Sequence, residues 1–358
     1  MEIPKTEGIK YAGSKLKLLP HILRMISELK GVETVLDGFS GSTRVSQALA
    51  QLGYSVTSND VSVWSEVFST CYLMANKSDE YYQELIDHLN NMVGIDGWFT
   101  QYYGGSQTIG KKPFQLKNTQ KLDAIRQEIE LLNLPWEDKC VLLTSLIYAL
   151  DKVDNTLGHY VAYLSGWSPR SYKDLQLKLP IRFQTNGKNR VIIDDIFNTV
   201  ANNRYDLVYF DPPYGSNNEK MPPSRVRYAA YYHIWTTIIK NDMPVLFGKS
   251  NRREDTHDDV SGSVFEEFRK SVTGDFLAME SLRRLINETN THYLMLSYSS
   301  GGRATKQQLM DIILDSGKLL DIKQINYKKN VMSSMRSTNQ WLHDDETHKE
   351  FLFLMEKK

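Results

Sequence analysis

Cysteine is nearly absent: Cys71 and Cys140 are the only two in 358 residues, far apart and with no CxxC spacing. That excludes a disulfide-stapled secreted scaffold and a cysteine-based zinc site, and it places the chain in a reducing compartment. No apolar run is long enough to span a bilayer, and the polar stretch from Met1 to Lys10 has no signal-peptide core, so neither membrane nor export is expected. Net charge is absent too, since 43 Lys and Arg balance 43 Asp and Glu. A nucleic-acid binder with this balance has to segregate its charge on one face. There are no internal repeats and no low-complexity tracts. What is present is an ordinary globular composition, 41% hydrophobic, which is enough to bury a core in one large domain or two.

The most informative stretch is Asp211-Pro212-Pro213-Tyr214. It follows Tyr205-Asp206-Leu207-Val208-Tyr209-Phe210, an apolar run that reads as a buried parallel strand. Two prolines cannot donate to a ladder, so the strand stops there and leaves a carboxylate, two rigid rings and an aromatic face at the C-terminal edge of a sheet. Open α/β sheets bind ligands at that edge. The residue types suit amino-group chemistry on a base. An exocyclic amine is a poor nucleophile because its lone pair is delocalised into the ring. Asp211 and the Pro212 carbonyl can accept its two hydrogens, and Tyr214 can stack on the base. The bland reading is a strand ending in a Pro-Pro-Tyr turn.

Upstream, Lys10-Tyr11-Ala12-Gly13-Ser14-Lys15 feeds an amphipathic helix carrying Leu16, Leu18, Leu19, Ile22, Leu23 and Ile26. Ser14 reads either as its cap or as part of a ligand loop, with Lys15 as a point charge. Thr34-Val35-Leu36-Asp37 is a short strand running through Gly38-Phe39-Ser40-Gly41-Ser42-Thr43 into a helix over Val45 to Leu52, the first βα unit of a nucleotide-binding sheet. The turn is not GxGxxG; Thr43 stands where a third glycine is expected. Tyr54 to Asp60 alternates and ends on an acid about 20 residues past that turn, placed to bind ribose hydroxyls or to cap the next helix.

From Val61 to Leu150 the period becomes helical, over Trp64 to Leu73, Tyr81 to Met92, Thr119 to Leu132 and Trp136 to Leu150. Asp151 to Pro180 lacks strong periodicity and interleaves Tyr160, Tyr163, Trp167 and Tyr172 with polar residues; a loop of that length is functional or disordered. Arg170 to Arg190 holds six basic residues against Asp174, and Tyr160, Arg170, Lys173 and Lys178 are the candidate DNA contacts. Asn189 to Ile196 resumes the sheet and ends in Asp194-Asp195, with Asp195 preferred for a ligand role over a helix cap. Gly215 to Arg227 reads as a loop over the site, Tyr228 to Trp235 starts an aromatic helix in which His233 is packed, and Pro244 to Lys249 and His292 to Ser299 read as strands. Lys306 to Leu314 reads as a helix. Gln324 to Lys329 and Glu350 to Met355 close the chain as strands joined by the polar stretch Asn330 to Lys349. The expected division is a catalytic part at 1–61, a helical and loop insertion at 62–185, and the rest of the catalytic domain at 186–358.

In their order and spacing these motifs resemble the Dam-like DNA adenine-N6 methyltransferases of restriction-modification systems. The resemblance runs through Lys10 to Lys15, Asp37-Gly38-Phe39-Ser40-Gly41-Ser42, Asn59-Asp60 and Asp211-Pro212-Pro213-Tyr214. It implies an α/β, Rossmann-like S-adenosylmethionine-dependent methyltransferase sheet, mostly parallel with an antiparallel last strand, interrupted by a target-recognition insertion. It implies S-adenosylmethionine as cofactor, contacted by Tyr11, Lys15, Asp60 and Asp211; Ser14, Asp37, Phe39, Gly41 and Asp195 complete the candidate cofactor site, and no metal is expected. It implies Asp211, Pro212, Pro213 and Tyr214 as the catalytic set acting on a flipped adenine, and an aspartate at 211 favours adenine in DNA. The implied partner is double-stranded DNA. A cognate restriction endonuclease would be encoded nearby without a stable complex, and the enzyme would be a cytoplasmic, nucleoid-associated monomer or weak dimer. The alternatives are an RNA adenine or protein glutamine methyltransferase, and a non-catalytic DNA-binding subunit.

Overall fold

In the computed structural model, which describes residues 2–215, 227–257, 260–272, 274–327 and 348–358, the strands in chain order are β1 (Thr34–Asp37), β2 (Ser55–Asp60), β3 (Gly104–Gly105), β4 (Phe114–Gln115), β5 (Arg190–Ile193), β6 (Tyr205–Phe210), β7 (Leu246–Phe247), β8 (Arg252–Arg253), β9 (Thr291–Ser299), β10 (Gly317–Tyr327) and β11 (His348–Lys357). Seven of them form one sheet in the order β10-β11-β9-β6-β1-β2-β5. Only β11 runs against its neighbours; every other pairing in this sheet is parallel. This is the mostly parallel sheet with an antiparallel last strand that the motif order implied. From β1 the chain moves one way to β2 and β5, and later returns to place β6 on the other side of β1. The strand order therefore reverses between β1 and β6, and a crevice opens at their C-terminal ends.

Alternation along the strands divides the core into two layers. Val35, Leu207, Tyr209, Met295, Leu352 and Leu354 face one way, toward α1 (Leu19–Ser27) and α2 (Arg44–Gln51). Leu36, Val208, Phe210, Leu294, Leu296, Phe351 and Phe353 face the other. After β2 the chain leaves the sheet for α3 (Val63–Leu73), α4 (Asp79–Asn91), α5 (Trp98–Tyr103), α6 (Leu116–Leu131) and α7 (Trp136–Asp151). On returning it forms α8 (Ile196–Asn202), then α9 (Tyr228–Tyr231) and α10 (His233–Lys240) beyond β6. α11 (Leu277–Glu288) and α12 (Lys306–Ser316) join α8 on the second face of the sheet. Tyr232, Ile234, Trp235 and Ile238 pack into the helical core of α3 to α7, so the segment after the proline turn ties that insertion to the site.

Three local differences from the sequence reading have physical causes. Pro244 to Lys249 is not a full strand; only Leu246–Phe247 pair, with Arg252–Arg253, because Gly248 and Asn251 take left-handed angles of 68° and 51° and fold the segment back as a hairpin. α8 and α11 were not anticipated, although the apolar stripe of α11, Ala278, Met279, Leu282, Leu285 and Ile286, has helical spacing; it packs on the sheet. Strand β10 starts at Gly317 rather than Gln324, because its long antiparallel pairing with β11 carries it through Lys318 and Asp321 despite their charge. The loop at Gly215 to Arg227 lies mostly outside the described residues, as does the connector at Asn330 to Lys349. No helix among the described residues is long and apolar enough to cross a membrane.

Trp235 is fully buried, stacked on Tyr232 at 4.2 Å between ring centroids and edge-on to Trp64 at 6.2 Å. Trp235→Ala should therefore cost about 3–5 kcal/mol of stability. It would be read as a lowered urea midpoint at unchanged slope; a shift worth under about 1 kcal/mol would mean the insertion tolerates a void there.

Candidate active site

β6 delivers Asp211 to the crevice, flanked by β1 ending at Asp37 and, one strand further, β2 ending at Asp60. The Gly38 N–H donates to the Tyr209 carbonyl at 2.9 Å, which extends the β1–β6 ladder into the glycine turn. A Cβ on Gly38 would stand 2.7 Å from the Phe210 ring, and one on Gly41 would stand 3.0 Å from the Tyr11 ring, so both glycines are required by close approach. Thr43, where a third glycine was expected, takes φ 64° and ψ 8°, the left-handed region a β-branched residue rarely enters. Its hydroxyl is held there by the Gln47 amide, which donates to it at 2.9 Å.

Asp60 is a turn anchor with capacity to spare. Its Oδ2 accepts from the Gly41 N–H at 2.9 Å and its Oδ1 from the N–H and hydroxyl of Ser62. Those donors partly offset burial, which raises its pKa. Asp37 is buried deeper. Its Oδ2 accepts from the Ser46 N–H at 3.0 Å and hydroxyl at 2.6 Å, and its Oδ1 is buried with no hydrogen-bond partner. Burial pushes its pKa to about 7.

Asp211 stands in an ion-pair chain. Lys15 Nζ lies 2.8 Å from Asp211 Oδ1 and 2.7 Å from Glu350 Oε1, with 7% of the lysine side chain exposed. The Ser297 hydroxyl also donates to Glu350 Oε1, at 2.9 Å. Burial pushes the Asp211 pKa up to about 7, with Lys15 opposing and Glu350 reinforcing the shift. Lys15 itself stays charged, because the two carboxylates outweigh its desolvation.

One cleft of about 450 Å³ is walled by Tyr11, Gly13, Gly38, Phe39, Gly41, Asp60, Asp194, Asp195, Asp211, Pro213 and Tyr228, among others. Asp60 and Asp211 therefore share a cavity. A small annex of about 30 Å³ behind Gly41 is lined by Lys15, Asp37 and Asp211. Asp195 does both things asked of it: it lines the cleft and caps α8, accepting from the Phe197 N–H at 2.8 Å. Ser14 precedes a single 3-10 turn at Lys15–Lys17 and makes no side-chain cap bond. Tyr214 directly follows the cleft-lining Pro213. Its carbonyl accepts from the Arg303 N–H at 2.9 Å, and its ring packs on Tyr298 at 5.4 Å. Among the described residues no cluster of ligating side chains could hold a metal ion.

The expected DNA contacts divide. Tyr160 is 2% exposed and packs against Phe114 and Trp235, so it is a core residue and cannot stack on a base. His233 Nε2–H donates to the Tyr160 carbonyl at 3.2 Å, and burial lowers its pKa to about 3, which leaves it neutral. Arg170 is consumed internally, donating to the Asp154 carbonyl at 2.9 Å and the Thr156 carbonyl at 2.6 Å and pairing with the Asp154 carboxylate. It ties a loop rather than a phosphate. Lys173 and Lys178 are exposed. Sequence reasoning missed Glu350, Tyr298 and Arg303. For Glu350 a signal existed: it shares strand parity with the inward-facing Leu352 and Leu354, and an acid on a buried face needs a partner.

Lys15→Met should leave Asp211 and Glu350 facing each other without a cation, and the Asp211 pKa should rise further. A carboxyl whose folded pKa is raised loses stabilising influence as pH climbs through that value. The variant should therefore lose about 3–5 kcal/mol at pH 8 and less at pH 6, measured by urea unfolding at both; equal losses would show that the pair is not electrostatically coupled.

Residues 11–299 match the model of the D12 class N6 adenine-specific DNA methyltransferases. The chain is similar to the modification methylase StsI of Streptococcus sanguinis, 29% identical over 98% of this chain and 52% of that protein. It is 26% identical to the type II methyltransferase M.NlaIII of Neisseria lactamica, over 98% of this chain and 99% of the other. It is 24% identical to the type II methyltransferase M.FokI of Planomicrobium okeanokoites, over 86% and 47%. It thus spans about half the length of the first and third and nearly all of the second. With 289 of its residues inside the family model and the proline turn at the tip of the central strand, the chain belongs to the D12 class of N6 adenine-specific DNA methyltransferases.

Proposed function

We propose that this chain transfers a methyl group from S-adenosylmethionine to N6 of an adenine flipped out of duplex DNA at a specific site. The observation that carries the reading is that Asp60 and Asp211 line one and the same cleft. Its residues fit the donor. Acids at Asp60, Asp194, Asp195 and Asp211 suit a cation, Tyr11, Phe39 and Tyr228 supply aromatic walls, and Asp60 keeps acceptor capacity for ribose hydroxyls. When bound, the donor supplies an electrophilic methyl on a positively charged sulfur.

The rest of the chemistry belongs to the chain. Asp211, ionised, accepts one N6 hydrogen, and the Pro212 carbonyl accepts the other. Both bonds favour a pyramidal nitrogen whose lone pair can attack. Pro213 keeps the turn rigid, and Tyr214, fixed by Arg303 and Tyr298, is the stacking face for the extruded base. The proton leaves the cationic product amine for solvent, so no dedicated base is assigned. Positioning of the two reactants accounts for most of the barrier reduction. The helical insertion at 62–185, with exposed Lys173 and Lys178, is proposed to hold the duplex through its phosphates, and the companion endonuclease of a restriction-modification system is the proposed genetic partner.

Methyl label from S-adenosylmethionine should appear in duplex DNA as N6-methyladenine, and Asp211→Ala should reduce the rate by at least about 10²-fold. The rate should fall as pH drops below about 7, because the protonated Asp211 carboxyl is the weaker acceptor. Transfer to RNA or protein but not to DNA would overturn the substrate, and DNA binding without any transfer would favour a non-catalytic subunit.

A further inference from the structure

We propose that Glu350 is a positioning residue for methyl transfer: in contact with the same Lys15 ammonium as Asp211, it fixes where that ammonium stands and how much of it Asp211 receives. The inference rests on the reading of Asp211 as the acceptor for the target amine. Glu350 lies outside the residues matched by the family model, 11–299.

An ammonium on a four-carbon stem is a mobile point charge with three donors. With one carboxylate as its sole partner it would settle across both oxygens and take the lone pairs that the base amine must use. Glu350 prevents this by accepting a hydrogen bond from Nζ at 2.7 Å, while Asp211 Oδ1 stands 2.8 Å away in an ion-pair contact. Glu350 is itself anchored by β11, which pairs with β9 at Glu350 opposite Ser299, and by the Ser297 hydroxyl at 2.9 Å. The trio carries one net negative charge when all three groups are ionised, in a site whose donor is a cation.

The other groups around Asp211 leave this assignment intact. Asp37 on β1 also titrates near 7, raised first by burial and then by Asp211 and Asp60 against its Ser46 hydrogen bonds. Tyr209 on β6 and Tyr214 in the turn, with Tyr11 and Tyr228 across the cleft, have hydroxyls pushed up by burial and stay neutral. Lys15 and Glu350 are then the charged pair that tunes Asp211 most directly.

The test is the pH–rate profile of DNA methylation by the full chain and by Glu350→Gln, which keeps the shape of the side chain and removes its charge. Glu350 raises the Asp211 pKa, so its neutralisation should move the acid limb of kcat down by roughly one pH unit, with a lower plateau because Lys15 now competes for Asp211. Ser297→Ala, which leaves Glu350 to draw Lys15 harder, should move the limb upward and serves as the second arm if Glu350→Gln does not fold. A limb that stays in place in the folded variants, whatever the loss in rate, overturns the inference while leaving the proposed function standing. No transfer to DNA by the wild-type chain at any pH overturns both.

Discussion

One buried cation holds the site together. Lys15 sits between two carboxylates that would otherwise repel each other in a space largely closed to water, one from the turn after the central strand and one from the last strand. Burying charges is costly, and breaking such a group by removing its cation leaves an uncompensated charge behind. The ion pairs thereby fasten the N-terminal loop, β6 and β11 to one another, and the loop carries Tyr11 into the cleft wall with it. Electrostatics and architecture are the same interaction at this point.

The glycine turn meets a different constraint, that of contact distance. Backbone must pass close to Phe210 and Tyr11, so Gly38 and Gly41 have no Cβ to spare. Thr43 holds a left-handed angle in the same turn and is kept there by its bond with Gln47 and by complete burial. A strained β-branched residue at this place is the kind of local expense that persists where the surroundings over-determine the backbone.

Much of this was legible in the residues. The β6 run and its two prolines locate the strand end, and the βα turn with Asp60 after it locates a second; one sheet edge follows from both. The antiparallel last strand came with the family resemblance, and the sheet bears it out. Tyr160 and Arg170 show where legibility stopped. An aromatic and an arginine in a polar loop read equally well as surface contacts or as the loop's own scaffold. Only packing reveals that Tyr160 fills the helical core and that Arg170 answers the buried Asp154.

By itself the amino-acid order determined the strands β1, β2 and β6, the switch from strand to helical period and the placement of carboxylates at strand ends, because those depend on neighbours within a few residues. The tertiary structure alone decided that Lys15 meets Glu350, 335 positions away, and that the same ammonium meets Asp211. A charge on a strand or loop states a need for a partner, but which partner satisfies it depends on sheet order and register, and those are set by the packing of the whole chain.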